Sequence, residues 1–111
     1  MESRRGYEQR FELLLKVWGA RLEALAEEHR RLPGDRQRNG ELVVERARER
    51  METSKRMLVA LAMADDERWG DLRRRADTTW YWLRHSIEDV KSVIELARDG
   101  DALAPSRRRV A

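Results

Sequence analysis

Apolar residues recur along this chain at intervals of three and four, in three stretches of similar length. The first holds Tyr7, Phe11, Leu14, Leu15, Trp18, Leu22, Leu25 and Leu32. The second holds Val44, Ala47, Met51, Leu58 and Leu61, and the third Trp69, Leu72, Ala76, Trp80, Leu83, Ile87, Val90, Ile94 and Ala97. Such spacing belongs to helices with one buried face. It predicts an all-α chain with helices over about residues 3–32, 39–63 and 66–98, and a flexible basic tail over 101–111. Ser3 stands where the first helix needs a cap, and Pro33-Gly34 stops it. The polar stretch from Pro33 to Gly40 reads as a loop, with Asp35 or Asn39 capping the second helix and Gly100 closing the third.

The junction Ala64-Asp65-Asp66-Glu67 contains neither Gly nor Pro and leaves two architectures open. If Asp65 or Asp66 caps a new helix, residues 1–100 form an antiparallel, up-down-up three-helix bundle or coiled coil. If not, one helix runs from about 40 to 98, roughly 90 Å long at 1.5 Å per residue. The first helix, roughly 45 Å by the same rise, would cover half of it, and the hairpin would need a dimer to bury the rest. The equal lengths of the three stripes favour the turn. In that bundle the first and third helices run parallel, so Trp80 should lie across from Trp18. Trp18, Trp69 and Trp80 should be largely buried, with Trp69 against the end of the second helix.

At 111 residues the chain is one domain. Charged residues make up 41% of it, with only two Pro and six Gly. This composition suits long solvated helices and not a disordered segment. The pI of about 9.8 invites a nucleic-acid reading. The net charge of +3, however, is matched by Arg107, Arg108 and Arg109 alone. The body is therefore a balanced polyampholyte. Absence of cysteine excludes disulfides and thiolate metal sites. The start, Met1-Glu2-Ser3-Arg4-Arg5, has no apolar leader, and no apolar run is long enough to cross a bilayer. A soluble, cytoplasmic protein is expected.

The chain offers little catalytic chemistry. Neither histidine has a Glu three residues before it, as paired helical di-metal sites require: position 26 is Ala and position 82 is Trp. His29 continues the first stripe and reads as an edge-of-core residue. Ser54 lies on the second stripe, where its hydroxyl can bond a carbonyl one turn back. No glycine-rich phosphate loop is present. No catalytic, cofactor or metal residues are assigned, and neither an enzyme nor a small-molecule substrate is expected.

Two features remain. Arg73-Arg74-Arg75 and Arg107-Arg108-Arg109 are candidate anion contacts for nucleic acid or anionic lipid. Three consecutive helical residues fan over about 200°, however, so the first run does not make one groove. More suggestive is Trp80-Tyr81-Trp82, in which Trp82 points about 200° away from Trp80. On the first helix Leu13, Val17, Ala20 and Ala24 form a second stripe off the main one. Leu13, Val17, Tyr81 and Trp82 are the candidate interface.

The run Tyr7, Phe11, Leu15, Trp18, Ala20, Leu22, Leu25 resembles a family of short bacterial coiled-coil proteins found in cyanobacteria and proteobacteria, uncharacterised or stress-associated. Trp69-x-Asp71-Leu72 and Trp80-x-x-Leu83, with Ile87 following, carry the same likeness. Pro33-Gly34 departs from that pattern, as does Arg in place of most Lys. The resemblance implies a helical fold and brings no catalytic residues. Spectrin-type repeats share the architecture alone. The expected function is that of a non-enzymatic scaffold or interaction protein, acting through self-association or on another protein. The alternatives are an amphipathic protein on an anionic lipid or granule surface, and weak nucleic-acid binding through the Arg runs.

Overall fold

The computed structural model describes residues 2–110, with side chains described through residue 99. It contains three helices, α1 (Arg4–Arg30), α2 (Gly34–Met63) and α3 (Asp66–Val110). They pack as an up-down-up bundle. Cross-helix contacts set the register. Along α1, Arg4 meets Asp66, Trp18 meets Trp80 and Glu28 meets Arg98, so α1 and α3 run parallel. Glu23 meets Arg48, and Gly40 sits against both His29 and Val93, so α2 runs antiparallel to both.

The turn between α2 and α3 forms, which disposes of the continuous helix. Ala64 adopts an extended backbone, with φ −73° and ψ 145°. Asp65 caps α3, its side chain accepting from the Arg68 amide at 2.9 Å. Arg4 reaches across from α1 to close the same turn. Its guanidinium donates to the carbonyls of Leu61 at 2.8 Å and Ala64 at 2.5 Å, and to Asp66 Oδ1 at 3.1 Å. A helix C-terminus leaves carbonyls without partners and carries partial negative charge. A cation there answers both.

The first loop is shorter than the sequence indicates. α1 ends at Arg30 and α2 begins at Gly34, not near residue 39. Pro33 lies just before the helix, where its fixed φ and missing N–H do no harm. Asp35 lies in the first turn, where a carboxylate complements the helix dipole. Gln37 donates from its side chain to the Arg30 carbonyl at 2.8 Å and ties the two helix ends together. At the other end α3 continues past the end expected near residue 98, to Val110. Glycine stops a helix when it turns left-handed; Gly100 stays helical, and Ala102, Leu103 and Ala104 after it favour helix. The side chains of the expected tail, with Arg107, Arg108 and Arg109, lie outside the described residues.

Small residues let α2 and α3 approach most closely. On α2, Gly40, Ala47, Ser54 and Leu61 recur at seven-residue steps and all are buried. On α3, Ala76, Leu83 and Val90 do the same. The Ser54 hydroxyl donates to the Arg50 carbonyl at 2.8 Å, so its burial leaves no unsatisfied proton. α1 contributes the bulky side of the core, with Tyr7, Phe11, Leu15 and Leu22 buried. Trp18 and Trp80 meet edge to face with ring centres 5.5 Å apart, as the parallel register requires. Both are partly, not largely, buried. Trp69 is partly buried too, and its ring meets Tyr7 of α1 at 5.6 Å, rather than simply covering the end of α2. An indole at the rim of a three-helix bundle is too large to enter the seam whole.

Tyr7 organises one end. Its hydroxyl donates to Asp77 at 2.6 Å, and the guanidinium groups of Arg10 and Arg73 lie 5.1 and 5.2 Å from its ring centre. Burial, and then the Asp77 carboxylate, push the Tyr7 phenol well above its ordinary range. Arg10 hydrogen-bonds the Glu2 carboxylate and holds it below the usual carboxylate range. On the exposed faces Glu12 pairs with Lys16 and Glu27 with Arg31, each one turn apart. Glu52 pairs with Lys55, and Asp71 with Arg74, at a spacing of three.

Candidate interaction surface

Leu13 and Val17 occupy the side of α1 turned away from the core, 61% and 56% exposed. On a helical wheel they lie about 160° to either side of the buried Leu15. Ala20 and Ala24 continue the same exposed line. The second stripe is thus a separate solvent-facing strip and not an extension of the core.

Tyr81 and Trp82 are exposed on α3, at 56% and 47%. They do not join Leu13 and Val17. Tyr81 lies about 160° from the buried Leu83, on the back of α3. Trp82 leans to the α2 side, where the Arg50 guanidinium stands 5.2 Å from its ring centre. Thr53 and Thr79 line the same shallow seam. Tyr81, Trp82 and His85 form an aromatic cluster, with ring centres 5.3 to 6.4 Å apart. The four residues grouped from the sequence therefore make two patches on different helices.

Arg73, Arg74 and Arg75 are exposed and diverge. Arg73 packs on Tyr7 and Arg74 pairs with Asp71. Among the described residues Arg75 makes no ion pair or ring contact, so the three side chains have different surroundings and the run does not form a single basic surface. His29 is buried against Gly40 and Val93, where the three helices converge. Among the described residues, no group of three or more His, Asp or Glu side chains is placed to hold a metal ion, and no helix is long and apolar enough to cross a membrane.

Sequence reasoning missed four further exposed apolar side chains: Leu42, Val59, Met63 and Leu96. Leu42 precedes Val43 and Val44, Val59 and Met63 lie within the apolar run from Met57 to Ala64, and Leu96 precedes Ala97, so the core stripes beside them mask their exposure. Scattered exposed hydrophobics of this kind are ordinary on a protein surface. Val59 and Met63 stand one turn apart on α2; the α1 strip differs in its length, with Leu13, Val17, Ala20 and Ala24 lined up over three turns.

The fold defines an all-α, three-helix bundle with exposed apolar side chains on its outer faces. Comparison with protein-family models, with curated proteins and with solved structures gave no match to this chain.

Proposed function

We propose that this protein is a non-enzymatic helical-bundle interaction module, working by self-association or by binding another protein. The observation that carries the reading is large apolar area left in water after all three core stripes are satisfied. Leu13 and Val17 on α1, and Tyr81 and Trp82 on α3, each leave about half or more of their surface exposed, giving two apolar patches of the kind that mark interaction sites. Both charge signs are interspersed around the exposed faces. This pattern favours a protein partner over an anionic lipid surface or a nucleic acid, either of which a cationic band would serve better. A structural role of this kind also suits the stress-associated setting that the family resemblance implies.

Light scattering across a micromolar concentration series tests the reading, with Leu13→Glu and Trp82→Glu beside the parent chain. Association that rises with concentration and falls in one of these variants supports self-association. A monomer at every concentration leaves the heterologous form, and a parent chain that then captures no protein partner lost by these variants sinks the proposal.

A further inference from the structure

We infer that the α1 strip is a homodimer surface, and that two copies of this chain meet there with their α1 helices antiparallel. This inference rests on the self-association reading above and adds the partner, the face and the orientation.

The argument begins with spacing. Leu13, Val17, Ala20 and Ala24 follow steps of four, three and four, the seam of a two-helix coiled coil. All four are exposed, and the strip lies opposite the face α1 gives to its own bundle. A second helix can therefore lie along it without disturbing the core.

Side-chain size selects the orientation. About a two-fold axis between Val17 and Ala20, an antiparallel partner sets Leu13 against Ala24 of the second copy and Val17 against Ala20. Every layer then pairs a large side chain with a small one, and the helices stay evenly spaced. In a parallel pair, Leu13 meets its own copy at one end and Ala24 its own copy at the other. The helices would splay at the leucines and gape at the alanines.

Charge selects the same orientation independently. Lys16 and Glu23 flank the strip on one side, with Arg21 on the other. The antiparallel pair brings Lys16 of each copy beside Glu23 of the other, giving two symmetric attractions. The parallel pair brings Lys16 beside Arg21, and Glu23 beside Glu28, both repulsive. Within one protomer Lys16 and Glu23 are weakly engaged, at 3.9 Å from Glu12 and 3.7 Å from Arg48, and exposed. Such pairs contribute little and exchange readily.

The test is a charge-swap mixing experiment on the full chain. Lys16→Glu and Glu23→Lys are made singly and together, and the dimer dissociation constant is measured by sedimentation. Circular dichroism and melting temperature confirm that each variant is folded. Each single variant should weaken the dimer roughly tenfold or more, since two attractions become two repulsions. An equimolar mixture of the two single variants should recover dimerisation, as should the double variant. Tighter dimerisation of Lys16→Glu indicates a parallel pair and overturns the inference. Dimers that ignore these changes but are lost in Trp82→Glu move the interface to α3, overturning this inference while leaving the self-association reading intact. A parent chain that stays monomeric overturns both.

Discussion

Gly40 is the most closely enclosed of the described glycines. A Cβ built there would stand 2.5 Å from His29 Nε2 and 2.7 Å from Val93 Cγ1. His29 is buried and Val93 has a β-branched side chain that is stiff at χ1 in a helix, so neither steps aside freely. Helix propensity would favour Gly40→Ala by about 1 kcal/mol, but overpacking costs about 1–3 kcal/mol. A net loss is expected, seen as a lower melting temperature. Gly70, with open space around its Cβ position, gives the contrast: Gly70→Ala should raise stability by roughly 0.5–1 kcal/mol. The sequence hides this. A glycine after Pro33-Gly34 reads as loop punctuation, yet no described glycine has a positive φ. Gly40 serves closeness of approach rather than a turn. His29, by contrast, was legible as an extension of the first stripe.

Tyr7 ties residue chemistry to pH. Its folded-state pKa lies above that of a free phenol, so the folded state favours the neutral ring. The stability this provides is complete below the ordinary value of about 10 and is lost as pH rises from there through the folded pKa. Alkaline titration should therefore show falling stability above about pH 10, with Tyr7 ionising only as the chain unfolds. Tyr7→Phe should flatten that slope while lowering stability at neutral pH, because the bond to Asp77 is gone. A phenolate at Tyr7 in an intact bundle, detected by tyrosinate absorbance, would contradict this picture.

At the scale of elements, helix existence and pairing were legible because periodicity reports the buried face directly. The parallel relation of α1 and α3 followed from the turn between α2 and α3, and Trp18 against Trp80 confirms it. Helix ends were less legible. The start of α2 depends on Pro33 acting as the residue before a helix and on Gln37 reaching back to Arg30, contacts that composition does not display. Equally hidden was Arg4, one of 21 arginines in the sequence, whose role is set by carbonyls some sixty residues away. The turn it closes should be a sensitive joint. Asp65→Ala should cost about 1 kcal/mol through the lost cap. Arg4→Ala should cost about 1–2 kcal/mol, since the carbonyls of Leu61 and Ala64 lose a charged donor. Arg4→Lys should recover only part, because one ammonium cannot serve several acceptors as a guanidinium fork does. Denaturant melts of the three variants measure these differences.

For the whole molecule, the bundle satisfies its own core and leaves a second, shorter seam along the outside of α1. The second stripe was visible in the sequence as Leu13, Val17, Ala20 and Ala24. Its separation from Tyr81 and Trp82 was not, since that depends on the angle at which α1 and α3 meet. The absence of cysteine makes the seam directly testable. In the antiparallel pair, Leu13 lies opposite Ala24 of the second copy. The two Leu13 positions are then eleven residues apart along the paired helices, roughly 16 Å at 1.5 Å per residue. A disulfide needs Cα atoms within about 7 Å. Chains carrying Leu13→Cys and Ala24→Cys should therefore cross-link to each other under mild oxidation when mixed, and neither should cross-link efficiently to itself. Efficient self-linking of Leu13→Cys, with no product between the two variants, would contradict the antiparallel α1 dimer.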